Sequence, residues 1–358
     1  MTTDTAPGTG SPGAALPLFV GTYTERLGHV HGKAEGVLRG AFDPRSGEVH
    51  GIGVLAPTRN PSWVAVDPSA GVLYAVNEGG AGTVSTFRLS DGTLLGQVDS
   101  HGEDPCHLSL SADGRHVVVA NYSSGTIAAF PRLDDGTLGE ASDVVQHRGG
   151  SVDPERQSSA HPHMVFVDPV SGHVLVPDLG LDAVVGYELD PKGTFTELFR
   201  VSVPAGSGPR HLVAAPDGQR LYLVTELGNT VIPLTRAGEG LVAGEPVSTL
   251  PQDFTGSSGA AAIRISPSGR TLVVSNRGHD SVALLRVDPA SGVPVLRGTT
   301  EARGSGPRDM QLSPDGRVLL VACQDSGLLH GFRLDEQAGR LEHLHTLDVP
   351  TPVCLVFA

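Results

Sequence analysis

Four side chains in the middle of this chain have the types needed to hold an anion and move a proton: His163, Arg210, Glu226 and Arg277. Arg offers a planar fork of donors that fits a carboxylate or a phosphate. An imidazole titrates near neutrality and a carboxylate accepts protons, so either can serve in acid–base chemistry. No local motif links the four. They recur at matching points of a repeated strand pattern, with Arg308 in the same register as Arg210, His107, His211 and Asp309 one register away, and Asn121 at the end of a neighbouring strand. Any single pair, such as Arg210 with Glu226, would serve equally well as an ion pair tying strands together. The case for chemistry is the crowding of these types into adjacent repeats.

The repeat that must gather them opens on one signature. It reads Asn60-Pro-Ser-Trp, Asp104-Pro-Cys-His, His161-Pro-His-Met, Gly208-Pro-Arg-His, Gly259-Ala-Ala-Ala, Gly306-Pro-Arg-Asp and Thr351-Pro-Val-Cys. The opening positions 61, 105, 162, 209, 260, 307 and 352 lie 44 to 57 residues apart. In the second copy, Pro105–Leu110 reads as a strand and Asp113-Gly114 as a hairpin turn. Two further strands follow at His116–Tyr122 and Thr126–Phe130, and a fourth lies around Val144. Four antiparallel strands at this period predict a β-propeller blade. The longest interval holds a polar insertion, Gln146 to Ala160, expected to form a loop leading into His161.

Six blades fit between residues 60 and 350. The termini supply a seventh: Leu18–Tyr23, Gly36–Phe42 and Val49–Leu55, closed by a first strand at Val353–Phe357. The expected fold is all-β, a seven-bladed propeller over residues 18–358 preceded by a disordered lead-in, 1–17. In such a ring the first strand of each blade is innermost, and its start meets the end of the second strand at one mouth of the channel. Glu78, Tyr122, Leu179, Glu226, Arg277 and Gln324 are the second-strand ends.

Composition agrees. The 358 residues include 47 Gly and 27 Pro with 4% aromatics, which suits short strands and tight turns and disfavours an aromatic protein-docking face. The formal charge of −14 speaks against nucleic acid or an anionic membrane as partner, and no apolar run is long enough to span a bilayer. Cys106, Cys323 and Cys354 are odd in number and scattered, and Met1–Pro17 does not resemble a secretory signal, so a cytoplasmic location is expected. There is no Gly-x-Ser-x-Gly, His-Glu-x-x-His or Cys-x-x-Cys. The pairs His29/His31, His161/His163 and His343/His345 share strand faces without a third or fourth ligand. Neither a metal nor a cofactor is expected, and the protein is expected to be a monomer or a weak homo-oligomer.

The chain resembles the seven-bladed propeller lactonases, a family that includes bacterial 6-phosphogluconolactonases and fungal carboxy-cis,cis-muconate cyclases. The resemblance is carried by Leu18-Phe-Val-Gly-Thr-Tyr-Thr, Asp104-Pro-Cys-His-Leu, Ala120-Asn-Tyr-Ser-Ser-Gly, Pro162-His-Met-Val, Pro177-Asp-Leu-Gly-Leu-Asp, Gly208-Pro-Arg-His-Leu, Thr225-Glu-Leu and Ser275-Asn-Arg-Gly-His-Asp-Ser. It implies hydrolysis of a small anionic sugar lactone, 6-phosphogluconolactone in the pentose phosphate pathway, with the alternative of an enzyme of aromatic catabolism that opens a lactone or closes a muconate into one. A non-enzymatic binding scaffold is the reading from outside enzymology. The family's proposed site falls on His163, Arg210, Glu226 and Arg277. Glu226 or His163 would activate water, with Glu226 favoured because nearby Arg keeps a carboxylate ionised. Arg210 and Arg277 would stabilise the oxyanion, and His107, His211, Arg308 and Asn121 would contact the substrate.

Overall fold

The computed structural model describes residues 15–358, and every regular element among them is a strand. Met1–Ala14, most of the expected lead-in, lie outside the described residues. Seven sheets carry four strands in sequential order, and the fourth blade adds a short extra strand, Val247–Ser248, beside its third. The closing sheet runs Pro352–Phe357, Leu16–Thr22, Gly36–Asp43, Glu48–Pro57, so both termini share one blade. Leu18 pairs with Phe357 and Val20 with Leu355. Leu16 and Pro17, expected in the lead-in, lie in strand opposite Phe42 and Ala41, and the Pro17 carbonyl accepts from the amide of Ala358.

Seven buried apolar clusters hold the ring, each straddling the facing sheets of two neighbouring blades. The cluster between blades five and six, for example, packs Val273 and Leu284 against Met310 and Leu319. A strand with both faces covered this way reads as a continuous apolar run, as in His116-Val-Val-Val-Ala-Asn, rather than as an alternation.

The strand-opening signature has a backbone reason. The residue before Pro takes a positive φ in five copies: Asn60 (38°), Asp104 (52°), Gly208 (65°), Gly306 (66°) and Thr351 (43°). Its carbonyl then accepts the amide of the residue just past the second strand, from Glu78 to Asn60, Tyr122 to Asp104, Glu226 to Gly208 and Gln324 to Gly306. A register shift follows at once between Pro105 and His107, Pro209 and His211, and Pro307 and Asp309. Such a bulge inserts one residue into the strand and re-aims the side chains around it. That is why Cys106, Arg210 and Arg308 are presented at the channel mouth although their strands are otherwise regular.

Candidate active site

A cavity of about 420 Å³ opens at this mouth. Its walls include His163, Glu226, Arg277 and Arg308 of the expected set, together with Glu78, Tyr122, Cys106, Arg156 and His29. Glu226, 5% exposed, is the centre of its charge network. One carboxylate oxygen accepts from Arg210 Nε at 3.1 Å and lies 2.8 Å from Arg277 Nη2; the other accepts from Arg156 Nη2 at 2.7 Å. Burial alone would raise the pKa of Glu226, but Arg277 and Arg210 outweigh it and hold the carboxyl well below the usual range. A carboxylate held ionised this firmly is a weak proton acceptor. It faces three guanidinium groups at once.

Arg210 is 2% exposed and spans two blades, donating through Nη1 to the carbonyl of Ala261 at 2.6 Å. The run Ala260-Ala-Ala, where other blades carry Pro and larger side chains, lies against it with no exposed surface. Burial and the charge of Arg277 push Arg210 down to about 9, so it is still cationic at neutral pH. Arg277 is placed by the end of its own strand and donates from Nε to the carbonyl of Gly259.

His163 is buried, and its Nδ1 has no partner. Burial, then Arg210, lowers its pKa well below 6.5, so the ring is neutral at physiological pH. His107 and His211 do not line the cavity. They lie deeper in the channel against Trp63, with ring centroids 4.2 and 5.4 Å from the indole, and burial keeps both neutral. Asn121 is also absent from the cavity wall: its amide donates to the Ser100 carbonyl and to Thr126, stitching the end of one blade to the next turn. Asn276 does the same with the Thr249 carbonyl. Asp309 accepts from the amide of Leu355 and pairs with Arg264, joining three blades.

Arg308 stands apart from the other guanidinium groups. Among the described residues it makes no salt bridge; its Nη2 donates to the Tyr23 hydroxyl at 3.1 Å, and its charge lies 5.5 Å above that ring. Tyr23 in turn donates to Glu78 at 2.8 Å. The thiol of Cys106 is driven up by burial and by the charge of Glu78, which leaves it protonated and a poor nucleophile.

Sequence reasoning passed over Arg156, Tyr23, Glu78 and His29 as site residues. Arg156 belongs to the insertion between blades two and three, outside the repeat. Asp153 accepts the amides of Glu155 and Arg156 and so curls the loop, and Gln157 fastens it to the Leu179 carbonyl. The long interval was the only signal for it. His29 belongs to a two-stranded hairpin, Arg26–Leu27 with Val30–His31, inserted in the closing blade, while Tyr23 stands one residue past that blade's second strand, its amide donating to the Thr351 carbonyl as Glu226 does to Gly208. Glu78 was visible as a second-strand end equivalent to Glu226. Of the paired histidines, His161 stacks on Tyr122 at 4.5 Å, and His343 and His345 lie on the outer strand of the sixth blade.

A seven-bladed ring with convergent arginines, carboxylates and a neutral imidazole at one mouth defines an enzyme-like propeller built for a polar, anion-forming substrate. The chain belongs to the seven-bladed β-propeller lactonase family, whose model matches residues 17–357. It is 33% identical over 348 residues to a 6-phosphogluconolactonase of Bacillus subtilis, covering 95% of this chain and 97% of that one. The periplasmic gluconolactonase of Pseudomonas aeruginosa superposes with a TM-score of 0.87 at 35% identity, over 96% of this chain and 99% of the other. A protein of Lactobacillus plantarum superposes with a TM-score of 0.89 at 31% identity, over 96% and 100%. Among the described residues no helix is long and apolar enough to cross a membrane.

Proposed function

We propose that this lactonase hydrolyses 6-phosphogluconolactone to 6-phosphogluconate in the cytoplasm, as a step of the pentose phosphate pathway. The observation that carries the lactone chemistry is the set of guanidinium groups facing one cavity, with Arg308 free of any carboxylate partner. Attack of water on the lactone carbonyl puts negative charge on its oxygen. Arg308 and Arg277 would receive that charge, an arrangement worth about 100–1000-fold in rate per donor. Glu226 and the Gly259 carbonyl would fix Arg277, and neutral His163 would donate to or accept from the sugar. Collapse of the intermediate breaks the ring ester bond and leaves a hydroxy acid.

The phosphate is supported by a second cavity of about 440 Å³ that shares His29 with the first and is lined by Arg26 and Lys33. With Asp325 also in the wall, the two cations leave a local surplus of one positive charge on a chain whose formal charge is −14. One observation favours a second reading, an unphosphorylated aldonolactone. In the central cavity the carboxylates of Glu78, Asp104 and Glu226 match the guanidinium groups of Arg156, Arg277 and Arg308 in number, leaving little surplus charge for a dianion.

The test is a continuous assay of freshly generated 6-phosphogluconolactone and of glucono-δ-lactone, each corrected for spontaneous opening. The proposal expects a higher kcat/KM for the phosphorylated lactone, and a loss of that preference in an Arg26→Ala, Lys33→Ala double variant. Equal or better turnover of the unphosphorylated lactone supports the second reading. No acceleration of either removes both.

A further inference from the structure

Among the described residues two cavity carboxylates, Glu78 and Asp104, have no guanidinium partner; Asp104 is half-buried and accepts the Ser123 hydroxyl, whereas Glu78 is buried. It is 5% exposed, and its Oε2 is buried without any hydrogen-bond partner. Leaving a buried carboxylate oxygen unpartnered is costly, and groups left in that state in native structures call for a reason such as a catalytic role. The other oxygen accepts the Tyr23 hydroxyl at 2.8 Å. Tyr23 is itself fixed by Arg308 at 3.1 Å, and its phenol stays protonated because burial raises its pKa well above 10. His29 closes the group, with Nε2 3.4 Å from the Tyr23 hydroxyl and 3.8 Å from Glu78.

This contrasts with Glu226 at the equivalent point three blades away. The two carboxylates hold the same repeat position in unlike surroundings. Glu226 gives its lone pairs to three arginines. Glu78 keeps lone pairs for something that arrives. The distance from the cation at Arg308 is bridged by a neutral phenol, so Glu78 is oriented by a donor without being ion-paired.

We propose that Glu78 is the general base of the lactone hydrolysis put forward above, with Tyr23 and Arg308 as the residues that position it. The role rests on that lactonase reading. Water bound beside Glu78 attacks the lactone carbonyl carbon and gives its proton to the Glu78 carboxylate while the carbonyl electrons move onto oxygen. When the tetrahedral intermediate collapses, the bond from the carbonyl carbon to the ring oxygen breaks. The departing alkoxide takes the proton from Glu78, which returns to its starting state. No metal or co-reactant enters the balance.

The experiment compares kcat and KM of the full-length protein with those of Glu78→Gln and Glu78→Ala, the latter with and without sodium formate, on whichever lactone the wild type opens faster. Removing a general base is expected to lower kcat by about 100–10,000-fold with KM changed only a few-fold. Formate should restore part of the rate to Glu78→Ala, because a small carboxylate can enter the vacated space, and none to Glu78→Gln. A Glu78→Gln enzyme within threefold of the wild-type kcat, or an Ala variant indifferent to formate, overturns the assignment. Should neither variant fold, Tyr23→Phe keeps the packed ring and removes the donor; kcat is then expected to fall by about tenfold, and an unchanged kcat contradicts the role. A wild type that opens no lactone removes the reaction itself. A wild-type enzyme that works beside an equally active Glu78→Gln removes only the base.

Discussion

Glu78 and Glu226 each stand one residue past a second strand, in the first and fourth blades, and their amides donate to Asn60 and Gly208 in the same way. Their backbones are equivalent and their side chains are not. Glu226 is surrounded by Arg156, Arg210 and Arg277, Glu78 by a phenol and an imidazole. The repeat fixes where the two carboxylates go, and the non-equivalent neighbours decide what each can do.

Glu226→Gln should therefore be a stability variant first. It leaves Arg210 buried beside Arg277 without the carboxylate that compensates them. Removing one partner of a buried pair costs about 3–5 kcal/mol. Thermal unfolding should show a clear drop in Tm, larger than that of Glu78→Gln. Equal Tm values for the two variants would contradict the division of labour.

Arg156→Ala should behave differently. The side chain is 44% exposed, and exposed ion pairs contribute about 0–1 kcal/mol. Tm should stay within about 2–3 °C of wild type, while KM rises several-fold because the loop side chain closes the cavity wall beside Tyr122. Paired melting curves and steady-state kinetics check this.

The shape of the ring was legible in the chain because its signature has a structural cause: a left-handed residue before Pro opens the first strand in five of the seven blades, with a bulge just after it in the second, fourth and sixth. Arg210, Glu226, Arg277 and Arg308 were legible for the same reason, since they occupy repeat positions. Arg156 and His29 were not, because both sit in segments that interrupt the repeat and reach the cavity only through the tertiary fold, whereas Tyr23 stands at the second-strand end of the closing blade, a repeat position. Asn121 and His107 were read toward the substrate because the repeat sets a residue's height in the channel and not its orientation. The Asn121 amide turns to the Ser100 carbonyl and the His107 ring to Trp63.

Acid should destabilise the protein through its buried histidines. His107, His163 and His211 have folded pKa values well below 6.5, so the unfolded chain binds protons more readily as pH falls. Their contribution is fully present above about 6.5, the unfolded value, and is lost progressively below it. Denaturant unfolding at pH 7.5 and 5.0 should show lower stability at 5.0, with a smaller difference in a His107→Asn, His211→Asn variant. Carboxylate titration does not mimic this window, because Glu226 is held below the usual carboxylate range. Identical stability at the two pH values would contradict the buried neutral rings.

The most direct measurement is the initial rate of lactone opening by wild type and by Arg308→Ala under the same conditions, with spontaneous hydrolysis subtracted. Among the described residues Arg308 is the one guanidinium of the cavity wall with no carboxylate partner. The expected result is a wild-type rate far above background and a loss of about 100–1000-fold in kcat for the variant, with Tm little changed. A variant that turns over as fast as wild type contradicts a site in which arginine charge meets the developing oxyanion.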